Sequence, residues 1–182
     1  MATVLVPLAQ GCEELEAVTV VDLLRRAGIN VVTAGLDDRP VKASRGVTLI
    51  PDTTLDEALE KSYDMIVLPG GLPGADHLDN DMRIREALKN TFDGGRYVAA
   101  ICAAPKVLAG LGLLRGRNAT SYPGVLDRMT VPGMRYTGEA VVVDGKVITS
   151  RGPGTAVDFA LTLIEQLTGK DKRDEVERGL VR

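Results

Sequence analysis

Apolar β-type segments alternate with amphipathic helical segments along this chain, and that order leaves few folds open. Thr3 to Leu8 predicts a buried strand, and Glu13 to Ala27 a helix with Leu15, Val18, Val21 and Leu24 near helical spacing and Gly28 as its stop. A second strand covers Asn30 to Leu36. After a turn at Asp37 to Pro40, short strands follow around Val41 to Ala43 and Val47 to Ile50. Thr54-Leu-Asp-Glu57 matches a capping box and opens a short helix. Tyr63 to Leu68 is a continuous apolar strand that ends in Pro69-Gly70-Gly71, and a polar segment runs on through Asn80. A helix is expected over Asp81 to Thr91, a turn at Asp93 to Arg96, a strand ending at Cys102, and a helix from there to Gly110. Residues 112 to 138 read as irregular. Asp144-Gly145 between Ala140–Val143 and Lys146–Thr149 is a hairpin signal. Helices are expected from Thr155 to Thr168 and, as a charged surface element, from Lys170 to Arg178.

Strands apolar on both faces, joined by helices, imply a mainly parallel sheet with helices on each side, a three-layer α/β sandwich. Sites in such sheets gather at the carboxyl ends of the strands. Four segments are therefore expected on one rim: Gln10 to Glu16, Pro69 to Gly71, Cys102 to Ala104 and Ser150 to Thr155.

Composition narrows the function classes. The 182 residues suit one domain, spanning 1–182, and the net charge of −3 comes with scattered lysines and arginines rather than a basic stripe. Aromatic residues are 3% with no Trp, so neither a nucleic-acid surface nor a base-stacking platform is expected. Met1 to Pro7 has no basic leader, so no signal peptide is expected, and no run approaches the roughly 20 apolar residues of a membrane span. Two cysteines make a disulfide framework implausible and favour a reducing, cytoplasmic location.

Cys102 is the first chemical candidate. A strand that turns straight into a helix points its sulfur at free helical N–H groups, which favour an anion and predict a thiol that ionises readily. The bland alternative is a small buried residue in a tight crossover. Glu13, Glu14 and Glu16 crowd the first turn of the first helix, where acidic residues suit the dipole. Glu16, set one turn in, is also placed to face the rim as a buried, protonated carboxyl that donates to a thiolate or exchanges protons with a substrate. Gly70 and Gly71 serve either a turn or a close backbone approach with an N–H aimed at an oxyanion. Gly152 to Gly154 reads as a structural turn and helix entry. His77, the only histidine, lies in the polar stretch Asp76 to Asp79 and reads as a surface imidazole. No metal-ligand spacing is present, so no metal is expected. Cys12 is either a resolving thiol or, more in keeping with its loop, unreactive.

Together Gly11-Cys-Glu-Glu-Leu-Glu16, Val67-Leu-Pro-Gly-Gly71, Ala99-Ala-Ile-Cys-Ala-Ala-Pro105 and Thr149-Ser-Arg-Gly-Pro-Gly-Thr155 resemble the ThiJ/PfpI superfamily, in the branch of the parkinsonism-linked protein DJ-one and its bacterial relatives. Arg25 to Gly28 and Ser44 to Gly46 also fit, so the resemblance spans nearly the whole chain. It implies a flavodoxin-like sandwich of the class I glutamine amidotransferase type and a homodimer. It implies Cys102 as an oxidisable nucleophile on a strained elbow, Glu16 as its protonated partner, and Gly71 and Ala103 as backbone donors near the sulfur. Gly70, Tyr122 and Arg45 become pocket candidates, Arg45 on an anion-binding rim near the dimer interface. The implied activities are cofactor-independent glyoxalase action on methylglyoxal, repair of glycated proteins and nucleotides, chaperone action and oxidative-stress sensing. The protease-like branch carries His directly after the cysteine, where this chain has Ala103, and the related amidotransferases need a downstream His–Glu pair, whereas no His follows His77. The animal branch has a histidine at the position of Tyr122. The leading expectation is an enzyme acting on reactive α-oxoaldehydes or their glycation adducts without a cofactor; the alternative is a non-enzymatic redox sensor or stress chaperone working through oxidation of Cys102.

Overall fold

The computed structural model describes all 182 residues. In chain order the elements are β1 (Thr3–Leu8), α1 (Glu14–Arg26), β2 (Asn30–Gly35), β3 (Val41–Lys42), β4 (Thr48–Leu49), β5 (Thr53–Thr54), α2 (Leu55–Ala58), β6 (Met65–Leu68), α3 (Gly74–Asn80), α4 (Met82–Asp93), β7 (Tyr97–Ile101), α5 (Pro105–Gly110), β8 (Asn118–Ala119), β9 (Arg135–Tyr136), β10 (Val141–Asp144), β11 (Val147–Ser150), α6 (Ala156–Thr168) and α7 (Lys170–Gly179). Seven strands form the central sheet in the order β10-β11-β7-β6-β1-β2-β5. Every pairing in it is parallel except β10 with β11, the hairpin turned by Gly145. This is the mainly parallel, helix-flanked sheet that the apolar strands predicted, in the flavodoxin-like form that the resemblance implies.

Successive residues of the inner strands feed two cores, because neighbouring Cβ atoms point to opposite faces. Val4, Val6, Met65, Val67, Ala99 and Ile101 pack on one side with Leu24 of α1 and Phe159, Leu163 and Ile164 of α6. Leu5, Ile66, Leu68, Val98 and Ala100 pack on the other with Leu78 of α3, Leu88 of α4 and Leu108 of α5. No helix is long and apolar enough to cross a membrane.

Local signals are realised with two differences. Thr54 Oγ1 accepts from Glu57 N–H at 3.4 Å, and Asp81 caps α4 by accepting from Arg83 N–H at 2.9 Å. The polar segment after Gly71, however, contains a helix, α3. Only Ala75 and Leu78 supply its inward side chains, too few for a visible period, and its Gly74 backs directly onto the backbone of Cys12. The inward face of α1 also differs. Ala17, Val20, Leu23 and Leu24 are buried, whereas Leu15 and Val18 of the expected stripe are 50% and 49% exposed. Residues 112 to 138 are largely irregular, with β8 and β9 forming a parallel two-strand pair.

Phe159 is fully buried against the β1–β6–β7 face. Phe159→Ala is expected to lower unfolding stability by about 3–5 kcal/mol in urea titrations; a loss under about 1 kcal/mol would mean that this face collapses around the vacancy.

Candidate active site

The rim segments converge at the carboxyl ends of β1, β6, β7 and β11. Cys102 directly follows β7 and has φ of 65°, a left-handed conformation that costs a non-glycine residue about 1–3 kcal/mol. Two bonds hold it there: Cys102 N–H donates to Ser150 O at 3.0 Å, continuing the β7–β11 ladder, and Cys102 O accepts from Tyr122 N–H at 2.9 Å. The side chain is 8% exposed.

Glu16 enters from α1 and is fully buried. Its Oε2 accepts from Gly70 N–H at 2.8 Å, while Gly70 O accepts from Glu13 N–H at 2.9 Å, so the start of α1 and the end of β6 clasp each other. Glu16 Oε1 is buried with no hydrogen-bond partner. A Cβ at position 70 would lie 2.6 Å from Cys102 Cβ and 2.7 Å from Glu16 Oε2. Gly70 is therefore the gap through which acid and sulfur meet, rather than a pocket wall. Gly71, with φ of 86°, turns the chain beside the elbow, and the backbone N–H groups of Gly71 and Ala103 act to favour the charged form of the sulfur.

The electrostatics correct one expectation. Burial, then the negative charge of Glu16, push the Cys102 thiol up to about 12, and the Gly71 and Ala103 N–H groups only partly oppose them. The helical field is weak here because α5 has six residues and opens with Pro105, which has no N–H. Burial likewise raises Glu16 to about 7, with the Gly70 N–H pulling the other way.

The remaining candidates separate. Tyr122 is half-exposed beside the elbow, its ring lying over Gly152, where a Cβ would sit 3.3 Å from Tyr122 Cδ2. Arg45 is exposed and its guanidinium makes no ion pair; its N–H donates to Glu14 Oε1 at 2.9 Å. Desolvation works to raise Glu14, but N–H groups of Glu14, Arg45 and Val47 and the Ser44 hydroxyl hold it below the usual carboxylate range. Glu14 thus ties the β3–β4 loop to α1, a role that its place in a run of acids gives no sign of. His77 is exposed on α3, as expected for a surface imidazole. Cys12 is fully buried, and burial followed by the Glu14 charge pushes its thiol up to about 12, which suits the unreactive reading. No three His, Cys, Asp or Glu side chains gather as metal ligands do.

Comparison with known proteins bears on the family and the fold. Residues 2–166 match the DJ-1/PfpI family. Protein dj-1beta of Drosophila melanogaster is 45% identical over 178 residues, covering 97% of this chain and 95% of that protein. A Caenorhabditis elegans relative named glutathione-independent glyoxalase DJR-1.2 is 38% identical over 179 residues, covering 98% and 95%. The crystal structure of Drosophila DJ-1beta superposes with a TM-score of 0.94 at 44% identity, covering 99% of this chain and 97% of that one. The chain belongs to the DJ-1/PfpI family.

Proposed function

We propose that the protein is a cofactor-independent cysteine enzyme of the glyoxalase or deglycase type, acting on methylglyoxal-type α-oxoaldehydes or their early glycation adducts. One observation carries this reading: a fully buried carboxyl beside a strained cysteine, one oxygen held by Gly70 N–H and the other without a partner. A protonated Oε1 needs an acceptor, and the thiolate supplies one. With the proton on Glu16, burial still opposes the thiolate, but the charge of the acid no longer does, while the Gly71 and Ala103 N–H groups still favour it. The pair thereby makes its own thiolate by internal transfer. A relative named as a glyoxalase supports the same reading.

The steps follow from that pair. Cys102 Sγ attacks the aldehyde carbon, forming a C–S bond, and the carbonyl electrons become an alkoxide facing the two N–H groups. The alkoxide takes the proton of Glu16. The Glu16 carboxylate then removes the C1 proton to give an enediolate; Glu16 returns that proton to C2 while the proton of the C1 hydroxyl passes to the C2 oxygen, leaving a thioester on Cys102. Water cleaves the thioester to lactate and restores the thiol. The 8% exposure of Cys102 favours a small dicarbonyl over a bulky adduct.

Metal-stripped protein is expected to form lactate from methylglyoxal, read by NMR. Cys102→Ala should abolish turnover. Glu16→Gln, which keeps a donor to sulfur but has no proton to exchange, should retain Cys102 alkylation while losing at least about 100-fold in kcat. If lactate is absent while graded peroxide converts Cys102 to sulfinate at low dose in mass spectra, the redox-sensor reading replaces this one.

Proton linkage gives an independent check. Glu16 is raised from 4.5 to about 7, so between those values the folded pair holds a proton that the unfolded chain has lost. Its contribution to stability is complete below the lower value and is lost as pH rises through the upper one. The stability difference between wild type and Glu16→Gln should therefore fall by about 3 kcal/mol from pH 4 to pH 8. A flat difference contradicts a raised carboxyl.

The same reading makes the protein a homodimer. Val18 and Ile50 are 49% and 82% exposed and with Val21 and Leu49 line an apolar patch along the helix that carries Glu16, and Leu15 of that helix is 50% exposed. Val18→Glu should convert a dimer to a monomer in sedimentation equilibrium; a wild-type monomer at micromolar concentration overturns the assignment.

A further inference from the structure

A cleft opens at the amino ends of β6 and β7, the end of the sheet opposite Cys102. Its volume is about 380 Å³. Ligand sites commonly fall between about 300 and 1,000 Å³. Ile66 of β6, Tyr63 just before that strand and Ala87 of α4 give it an apolar lining. None of the four rim segments takes part in it.

The polar lining holds groups that the fold leaves without partners. Thr91 of α4 is 4% exposed, yet its hydroxyl makes no hydrogen bond to the protein. Thr162 and Thr168 of α6, by contrast, each donate to the carbonyl four residues back at 2.8 Å, a common resort of helical threonines. Glu16 Oε1 is the one side-chain oxygen sealed from solvent without a partner, so the Thr91 hydroxyl is open to the cleft that it lines. Thr91 O accepts from Arg96 N–H at 3.0 Å, which sets the two residues side by side. Arg96 Nη1 donates to Tyr63 O at 3.0 Å and Nη2 to Asn90 O at 3.3 Å. Those carbonyls fix the guanidinium in place, and no carboxylate answers its charge. Lys61, exposed after α2, also lacks an ion pair. Arg83 lines the cleft too, but Asp56 and Asp81 answer it at 2.7 and 2.6 Å. Glu86 is the acid of the lining and has no cation partner. Two unanswered cations against one unanswered acid leave a place for a single negative charge.

We propose that this cleft binds a small organic monocarboxylate. Its carboxylate lies between Arg96 and Lys61 and accepts from the Thr91 hydroxyl, and its apolar body lies on Tyr63, Ile66 and Ala87. A fixed guanidinium suits a carboxylate, and the ligand supplies the acceptor that the buried hydroxyl lacks. The cleft is separate from Cys102, so the proposal stands or falls apart from the aldehyde reading.

Benzoate is the probe. Titrated into isotope-labelled protein, it should shift the amide signals of Ser62, Thr91 and Arg96 and leave that of Gly71 in place. A Kd of about 1 mM is expected for a ligand of about nine heavy atoms. Benzyl alcohol, with the ring but no charge, should bind at least about tenfold more weakly. Thr91→Val, which keeps the shape and removes the hydroxyl, should weaken benzoate about fivefold. Lys61→Met alters an exposed residue and leaves the fold intact; it should weaken benzoate about threefold or more. Glu86→Gln should bind benzoate as well as wild type or better. Absence of these shifts at about 10 mM benzoate overturns the proposal. So does equal binding of benzyl alcohol, wild-type affinity in both Thr91→Val and Lys61→Met, or a loss in Glu86→Gln.

Discussion

Glu13 N–H donates to Gly70 O, and Gly70 N–H donates back to the carboxyl of Glu16. This exchange fastens the start of α1 to the end of β6 and carries an ionisable group into the interior. A buried carboxyl is costly unless it is neutral or well paired. Here one oxygen is paired and the other is not, so the group is driven toward its protonated form, next to a sulfur that burial also opposes charging. The chemistry proposed for Cys102 is a consequence of that shared predicament: two acids in one dry space, with one proton suited to either.

The sheet makes the exchange possible. Parallel register among β1, β6, β7 and β11 brings four sequence-distant turns to one edge, and two-sided burial of those strands keeps the edge rigid. The strain at Cys102 is held by bonds to Ser150 and Tyr122, each anchored in its own part of the chain. The outward apolar stripe of α1 lies on the helix that delivers Glu16, so association of two copies would buttress the acid proposed to take part in the chemistry.

Much of this was legible in the sequence, because it is written in local patterns. Apolar runs of β-type residues marked β1, β6 and β7; Thr54, Asp81 and Gly145 marked a cap, a helix start and a hairpin. Glycines after a strand and a cysteine before a proline marked the rim. What stayed hidden depends on tertiary context. Helix α3 shows only two apolar side chains, below the threshold of any periodicity. The stripe of Leu15 and Val18 has helical spacing whether it faces the core or another molecule, and only the placement of α6 decides. The direction of the Cys102 shift depends on how deeply the sulfur lies and on the neighbour's charge, neither of which local residues record. The gathering of Lys61, Thr91 and Arg96 on one cleft joins distant segments and leaves no local trace.

The anchoring of the elbow has a consequence for whatever becomes attached to the sulfur. Its amide and its carbonyl are each committed to a separate strand or loop, so the peptide planes on either side of Cys102 cannot swing to make room. A bound group must do the turning itself, by rotation about its own single bonds and the Cα–Cβ–Sγ stem. Molecules short enough to pivot within that frame can come and go; a rigid, branched one would stay lodged once joined.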